Sequence, residues 1–253
     1  MHNPRHILIT GASSGIGAAL AAAYAAPGIT LSLQGRDAAR LAAVAAVAQA
    51  KGAIAITGLM DVTDRLALES WLLARDADLP VDLLIANAGI SGGTADGGES
   101  AAQVRQIFAV NIDGVITTVQ ALIPAMTARR RGQIAVMASL AGFRGMPGCP
   151  AYSASKAAVR LYGEALRGDL APQGIAVNVI CPGYVTTPMT AANSFTMPFL
   201  MTAEKAANLI QSGLAHNRAR IAFPFPTYLA VWLLAALPPC LTDWIMARLP
   251  KKS

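Results

Sequence analysis

The stretch ILITGASSGIG, residues 7–17, decides the fold class. In it an apolar run ends at a glycine-rich turn, and an alanine-rich, helix-like segment follows. Gly11 permits a sharp turn, Gly15 lets the backbone approach a pyrophosphate, and Gly17 allows a helix to pack closely on a strand. The first amides of that helix would face the phosphates. This strand–turn–helix unit predicts a dinucleotide-binding α/β fold.

Strand-like and helix-like segments alternate along the rest of the chain. Short apolar runs predict strands over residues 6–10, 30–34, 53–57, 81–86, 133–137, 176–180 and 221–223. Longer segments predict helices over residues 15–26, 37–51, 63–75, 101–108, 111–128 and 152–170. The strand runs show no alternation with polar residues, so both faces of each strand should be covered. This order predicts a doubly wound, Rossmann-like parallel sheet of about seven strands with helices on both faces. Such sheets bind ligands outside the carboxyl ends of their strands.

Length and composition favour one domain over residues 1–253. Hydrophobic residues make up 54% of the 253 residues and charged residues 13%, so the chain can form a large core. The net charge is +6, but the only dense basic cluster is Arg129, Arg130 and Arg131, without interleaved aromatic residues. These arginines lie at the end of a predicted helix, where they offset the macrodipole. Nucleic acid is therefore not expected as a partner.

Cysteine and histidine usage indicates neither a disulfide framework nor a metal site. The residues concerned are Cys149, Cys181, Cys240, His2, His6 and His216. The cysteine count is odd, no CxxC occurs, and the histidines lack ligand spacing. The first ten residues, MHNPRHILIT, pass directly into a predicted strand, without a long apolar leader. We therefore expect no metal and a cytoplasmic location.

The spacing TGxxxGIG at residues 10–17 resembles the short-chain dehydrogenase/reductase family. Three further motifs follow in the family's order, each after a predicted strand. The resemblance implies that Asp-Val at 61–62 contacts the adenine, that Asn-Ala-Gly at 87–89 lines the cofactor, and that the segment after Pro-Gly at 182–183 holds the nicotinamide carboxamide. The implied cofactor residues are Gly11, Ser13, Ser14, Gly15, Ile16, Gly17, Arg36, Asp61, Val62, Asn87, Ala88, Gly89, Tyr152, Lys156, Pro182, Gly183, Val185 and Thr187.

The end of the second predicted strand, Leu-Gln-Gly-Arg at 33–36, bears on the choice of cofactor. Family members that use NAD usually carry an acidic residue where Gly35 stands here. Without that carboxylate, repulsion toward a 2′-phosphate is removed, and Arg36 can add a charge-assisted contact. Arg36 could instead be a solvated loop residue beside Asp37. We predict that NADP(H) is preferred over NAD(H).

Residues 152–156, Tyr-Ser-Ala-Ser-Lys, place a tyrosine and a lysine four apart on one helix face. With Ser139 at a strand end and Asn111 on a helix, they resemble the family's catalytic set. The resemblance implies that the cofactor carries a hydride while Tyr152 transfers a proton between an alcohol and a carbonyl. It also implies that Ser139 donates to the substrate oxygen and that Asn111, which could also serve as a helix-kink residue, holds a water in a relay. We expect the Lys156 ammonium to lower the pKa of Tyr152.

Substrate contacts are expected from segments 140–151 and 184–202, the latter being the substrate loop. Both segments are apolar and lack acidic residues, which favours a hydrophobic ketone, aldehyde or secondary alcohol. The candidate substrate residues are Ser139, Met146, Tyr152, Tyr184 and Met189. Several of these side chains could instead pack in the core or in a dimer contact, and methionine surfaces adapt to many shapes.

The hydrophobic C-terminal extension, residues 224–253, has three interpretations. Prolines divide it, and the piece 228–237 is about half of what a bilayer span needs. A second helical piece, 241–249, is followed by Lys251 and Lys252. A packed extension or dimer contact is the preferred interpretation. A hydrophobic lid over an acyl-like substrate and a monotopic membrane contact are the alternatives.

The leading hypothesis is an NADP(H)-dependent carbonyl reductase or alcohol dehydrogenase. The resemblance implies a homodimer or homotetramer. A nucleotide-binding regulatory or scaffold protein without turnover is the alternative from another class, but such family members usually lose the tyrosine or lysine. A membrane-surface reductase of lipid ketones would share the chemistry and differ in partner and substrate.

Overall fold

One parallel sheet organises the chain in a computed structural model, which describes residues 3–92, 98–191, 193 and 195–248. The strands of this part of the chain are β1 (His6–Ile9), β2 (Thr30–Gly35), β3 (Ile54–Leu59), β4 (Leu83–Ala86), β5 (Gly132–Met137), β6 (Ile175–Pro182) and β7 (Arg220–Phe223). Their order in the sheet is β3-β2-β1-β4-β5-β6-β7, and all neighbours are parallel. The predicted doubly wound sheet is confirmed, with its switch point between β1 and β4.

Helices cover both faces of the sheet. They are α1 (Gly15–Tyr24), α2 (Ala38–Ala50), α3 (Arg65–Asp78), α4 (Ala101–Phe108), α5 (Gly114–Ala128), α6 (Pro150–Leu170), α7 (Pro188–Ala191), α8 (Ala203–Ala215), α9 (Phe225–Ala236) and α10 (Pro239–Met246). Ile7 and Ile9 of β1 belong to one apolar core cluster, while Leu8 belongs to the other. Alternate residues thus face opposite helix layers, which explains why the strands read as unbroken apolar runs.

Several helices differ from the sequence prediction, and α6 and α8 show why. Helix α6 begins at Pro150, two residues earlier than predicted, because proline is well tolerated at the first helical position. Helix α8 is absent from the prediction, although it packs closely against α1. Two signals for this helix are present in the sequence. Thr202 is a typical N-cap residue, and its hydroxyl accepts a hydrogen bond from the Lys205 amide. Apolar residues that are buried in the structure recur at helical spacing, as Ile210 and Leu214 show.

The arginine cluster after α5 makes tertiary ion pairs, so the interpretation as helix-end compensation alone was incomplete. Arg129 donates to both carboxylate oxygens of the buried Asp76, at 2.7 and 2.9 Å, and to the carbonyl of Val81. Arg131 pairs with Asp82 at 2.8 Å. Bidentate pairing with a buried carboxylate fixes α3 and the approach to β4 against the end of α5.

Helices α4 and α5 form one run with the π-helical turn Ala109–Asp113 between them, where two separate helices had been predicted. Within the described ranges this run, Ala101–Ala128, is the one helix long and apolar enough to cross a membrane by length and composition. Its α5 part packs against α3, β4 and β5. The packing accounts for its apolar character as that of a core helix.

Candidate active site

A cavity of about 840 Å³ opens at the carboxyl ends of the strands. Its wall includes most of the predicted site residues: Gly11, Ser13, Ser14, Gly15, Ile16, Arg36, Asp61, Val62, Asn87, Ala88, Gly89, Ser139, Tyr152, Lys156, Pro182, Gly183, Val185, Thr187 and Met189. Gly17, Asn111, Met146 and Tyr184 are not part of this wall. The wall also includes residues that the sequence interpretation missed, among them Arg40 and Thr190. The position agrees with the general rule for ligand sites in such sheets.

The glycine-rich turn fits a phosphate group. Gly11 and Gly15 have φ values of +65° and +56°, which favour glycine, and a Cβ on Gly11 would lie 2.7 Å from the Cα of Ala88. Gly17 serves packing, because a Cβ there would clash with the carbonyl oxygen of Gly11. Ser14 precedes α1 without capping it through its side chain. The first amides of α1 therefore lack a side-chain cap from Ser14 and lie beside the cavity, as an anion site requires.

Hydrogen bonds join the glycine turn to the end of β4. The Thr10 hydroxyl accepts from the amides of Asn87 and Ala88, at 3.1 and 3.2 Å. The Asn87 side-chain amide donates to the carbonyls of Thr10 and Gly11. The Asn-Ala-Gly motif thus holds two neighbouring strand ends in fixed positions, and Ala88 and Gly89 remain on the cavity wall.

Arg36 and Asp61 pair with each other on the cavity wall near the ends of β2 and β3, 3.0 Å apart, and both are partly exposed. Burial alone would raise the pKa of Asp61, but hydrogen bonds from Thr63 and Arg36 lower it overall. A Cβ at Gly35 would lie 3.0 Å from the Ser13 Cβ. An acidic side chain at position 35 would therefore compete with Ser13 for space.

The candidate catalytic side chains converge on the cavity wall near β5. The Lys156 ammonium donates to the carbonyl of Met137 at 2.9 Å and lies 5.8 Å from the centre of the Tyr152 ring. The Ser139 hydroxyl accepts from the Ala141 amide at 3.1 Å and donates weakly to the Pro182 carbonyl at 3.4 Å. Their proximity is what the resemblance implied for this set.

The expected lowering of the Tyr152 pKa was wrong for this structure. Burial raises the pKa of Tyr152 to about 12, although interaction with Ser139 opposes the shift. Burial also lowers the pKa of Lys156 to about 8. Desolvation disfavours the charged form of both groups, and it is the largest cause of each shift.

Asn111 lies beneath the cavity wall and is fully buried. Its side-chain amide donates to the Ile90 carbonyl and to the Ser155 hydroxyl, and its side-chain oxygen accepts from the Ile90 amide at 2.8 Å. It also lies at the centre of the π-helical turn, which agrees with the interpretation as a helix-kink residue. The water relay stays a prediction.

The substrate loop is closed at its base. Val185 and Met201 form an isolated parallel bridge, and the Thr186 amide donates to the Met201 carbonyl at 2.8 Å. Met189 lines the cavity, whereas Tyr184 packs edge-on against Phe195 with ring centres 5.9 Å apart.

Met146, the other candidate outside the cavity wall, packs against the apolar core cluster on the α6 face of the sheet. Packing therefore accounts for Met146 and Tyr184, as the sequence interpretation left open.

Phe143 is surrounded by charged and aromatic groups directly after the 3₁₀ turn Leu140–Gly142. The guanidinium carbons of Arg160 and Arg220 lie 4.7 and 5.2 Å from its ring centre, within cation–π range. Tyr228 contacts the ring edge-on at 5.6 Å. With Glu164, these residues form what we call the Phe143 cluster.

Glu164 joins the two arginines of this cluster. Arg160 donates to both of its carboxylate oxygens at 3.2 Å, and Arg220 donates through its Nε at 3.1 Å. Arg160 also contacts the Gly142 carbonyl at 3.4 Å. A Cβ on Gly142 would lie 2.7 Å from the carbonyl carbon of Lys156, so the turn touches the backbone of α6. The Phe143 cluster thus fixes the serine-bearing turn against the helix of Tyr152 and Lys156.

A glycine-rich turn at a sheet switch point, beside converging serine, tyrosine and lysine side chains, defines the class of nucleotide-dependent α/β oxidoreductases. Residues 5–197 match the family model described as short chain dehydrogenase. The chain therefore belongs to the short-chain dehydrogenase family and is an oxidoreductase, as the sequence motifs predicted.

Similar proteins support this assignment. An oxidoreductase of Myxococcus xanthus is 39% identical over 246 residues, which is 97% of both chains. The ketoacyl reductase HetN of a Nostoc species is 33% identical over 85% of this chain and 77% of its own. The solved short-chain dehydrogenase of Sphingobium yanoikuyae in complex with NADPH has a TM-score of 0.81 at 26% identity, covering 98% of this chain and 97% of that one.

Proposed function

We propose that this oxidoreductase interconverts a hydrophobic ketone or aldehyde and its alcohol, with NADP(H) as the preferred cofactor. The observation that carries the proposal is the convergence of Ser139, Tyr152 and Lys156 on the wall that also holds the glycine-rich turn. Placing a proton donor beside a dinucleotide site is what hydride transfer to a carbonyl requires.

Tyr152, Ser139 and Lys156 have different roles in the proposed reaction. A bound dinucleotide supplies or accepts the hydride. With a pKa of about 12, the Tyr152 hydroxyl keeps its proton at neutral pH and can donate it to a carbonyl oxygen. The bond from Ser139 to the Pro182 carbonyl is long, so its hydroxyl can rotate and donate to the same oxygen. Lys156, with a pKa of about 8, is mostly charged at neutral pH and stabilises developing negative charge nearby.

Three features of the adenine end support NADP(H). Gly35 offers no carboxylate to repel a 2′-phosphate, and Arg36 lines the cavity beside it. Arg40 also lines the cavity and pairs with Asp37 at 3.3 Å. Two guanidinium groups near one edge form a site that favours an additional phosphate over a bare ribose. The similar Sphingobium structure is a complex with NADPH, whereas a similar reductase of Brucella melitensis has bound NAD, so the proposal rests on these residues.

The cavity wall and one relative support a hydrophobic carbonyl substrate. Met189 is the one described methionine of the substrate loop that lines the cavity, which suits an apolar group next to the reacting carbonyl. HetN, the relative named above, is called a ketoacyl reductase.

We further propose that the chain forms a homodimer or homotetramer in the cytoplasm, in keeping with the oligomers typical of the family.

The first prediction tests the role of Tyr152. Tyr152→Phe should retain NADPH binding but lose carbonyl reduction by roughly 10²–10⁴-fold, because the phenol supplies the proton. NADPH consumption with aldehydes and ketones of graded chain length measures turnover, and fluorescence titration measures binding. Tyr162→Phe, on the same helix, is the matched control and should be close to wild type.

Two outcomes would contradict the proposal. Unchanged turnover in Tyr152→Phe removes this residue from the mechanism. A wild-type chain that binds NADPH tightly but reduces nothing in the series favours the regulatory or scaffold alternative.

A further inference from the structure

A carboxylate from a distant segment contacts the first turn of helix α6. The Oε2 atom of Glu99 accepts a hydrogen bond from the Ala151 amide at 2.8 Å, although the two residues are 52 positions apart in sequence. Glu99 directly precedes helix α4, whose N-cap residue Ser100 accepts from the Gln103 amide. Ala151 directly precedes Tyr152. The bond therefore joins the start of α4 to the backbone beside the proposed proton donor.

Helix α6 has no side-chain cap of its own. Its N-cap residue is Cys149, which makes no side-chain cap hydrogen bond. Pro150, the first helical residue, has no N–H to donate. Ala151 thus carries the first N–H of the helix, and amides of the first turn have no partner within a helix. Glu99 supplies this partner from outside, and a carboxylate is favoured at the positive end of the helix dipole.

The rest of the Glu99 carboxylate indicates that this contact is specific. Within the described ranges its Oε1 atom is buried and has no hydrogen-bond partner. Burying a carboxylate oxygen without a partner costs free energy, so a freely solvated position would be favoured for a side chain with no other role. The bond to the Ala151 amide is the polar contact that the described residues give this carboxylate.

A second bond holds the same turn on the other side of Tyr152. The Asn111 side-chain amide donates to the Ser155 hydroxyl at 3.0 Å, so α6 is held from outside at residues 151 and 155. These positions are one helical turn apart and flank Tyr152. The bond from Glu99 acts at the free end of the helix, where helices fray. Fraying there would displace the tyrosine ring.

We propose that Glu99 is a positioning residue for Tyr152, because its bond to the Ala151 amide fixes the first turn of α6. Glu99 is not part of the cavity wall, so it acts through the helix without touching cofactor or substrate. The consequence for turnover rests on the proposed function of Tyr152. The consequence for the place of the tyrosine ring does not depend on any activity.

Fluorine NMR of the full, ligand-free chain tests the place of the ring, with 3-fluorotyrosine incorporated at position 152. The wild type should give one narrow resonance. Glu99→Ala should broaden or divide it, because an uncapped turn samples several positions. Glu99→Gln should retain the narrow resonance, since an amide oxygen accepts the same bond. The same label at position 162, in the middle of α6, provides the control and should be unaffected by either substitution.

Steady-state reduction of a carbonyl by NADPH tests the consequence for turnover. In Glu99→Ala we expect kcat to fall about tenfold with the KM for NADPH unchanged, because a displaced phenol affects the transition state and leaves the dinucleotide site intact. Glu99→Gln should stay within about twofold of the wild-type kcat, because the hydrogen bond is kept. Glu69→Ala, on helix α3 and outside the cavity wall, is the matched control and should behave like wild type.

The two measurements separate the possible failures. An unchanged Tyr152 resonance in Glu99→Ala overturns the proposal, and so does an unchanged kcat, even if thermal stability falls. Equal losses in Glu99→Ala and Glu99→Gln overturn it as well, because the effect would then belong to the charge and not to the hydrogen bond. A wild-type chain that reduces no carbonyl defeats the proposed function alone, since the fluorine spectra still decide whether Glu99 positions the ring.

Discussion

At the scale of single residues, burial sets the protonation of Tyr152 and Lys156, the groups that we propose act on a carbonyl. Tyr152 is held neutral and Lys156 is made easier to deprotonate, both by desolvation. The bond from Lys156 to the Met137 carbonyl keeps its amine in the site in either form. This environment suits proton donation by Tyr152 in the direction of carbonyl reduction.

The lowered pKa of Lys156 predicts a pH dependence of stability. Between about pH 8 and 10.4 the folded chain releases this proton while the unfolded chain retains it, so unfolding binds protons and stability rises with pH. The free energy of unfolding of the wild type relative to Lys156→Met should therefore rise by up to about 3 kcal/mol across this window.

Urea unfolding at several pH values measures this difference. Lys51→Met, at an exposed lysine, provides the control and should show no comparable pH dependence. A wild-type-to-variant difference that stays flat from pH 8 to 10.4 would show that Lys156 keeps an ordinary pKa.

Arg36 is the residue whose substitution tests cofactor preference. Arg36→Ala should raise the KM for NADPH roughly 10–100-fold, because a charge-assisted contact is lost and the Asp61 carboxylate loses the guanidinium that offsets its charge. The KM for NADH should change far less. Steady-state kinetics with both cofactors checks this, with the exposed Arg65→Ala as control. Equal effects on both cofactors would refute the role.

At the scale of elements, the Phe143 cluster connects pieces of chain that are distant in sequence. It brings together the turn after β5, helix α6, the first residue of β7 and helix α9. Because Gly142 touches the α6 backbone at Lys156, a shift of this turn would move Ser139 relative to Tyr152. Under the proposed function, the cluster therefore determines how well the Ser139 and Tyr152 hydroxyls meet on the substrate oxygen.

Glu164→Gln tests this positioning. The loss of the carboxylate leaves Arg160 and Arg220 uncompensated beside each other, so the turn should loosen. We expect kcat for carbonyl reduction to fall by about an order of magnitude, with the KM for NADPH unchanged, since misplacement affects the transition state. Glu69→Gln is the control. A fall in thermal stability with kcat intact would reduce the cluster to a purely structural role.

At the scale of the whole molecule, the sequence predicted what depends on local spacing. The glycine turn, the strand ends with their motifs, and the Tyr152–Lys156 pair all lie where the predicted sheet requires. Pairings across the fold were not predictable, because spacing places residues on elements without saying which side chains meet. Arg36 with Asp61 and Arg129 with Asp76 are examples.

The C-terminal extension shows the same limit. Its composition allowed packing, a lid or a membrane contact, and the structure shows one side packed and the other exposed. Leu249, Lys251 and Lys252, which entered the sequence interpretation, lie outside the described residues. Which side of an apolar helix faces the protein depends on anchors such as Arg144, and these come from distant segments.

The main-chain bridge between Val185 and Met201 allows the segment between them to be replaced as a unit. The two ends of this segment are already joined by main-chain hydrogen bonds. A loop of different sequence placed between them therefore starts from joined ends, and β6, β7 and α8 keep their positions. The length of this segment can change at a low free-energy cost, since doubling the length of a flexible loop adds only about 0.6 kcal/mol of closure entropy. Diversification for new substrates can therefore be confined to this insert, provided that Thr187, the candidate cofactor residue on the cavity wall, is kept.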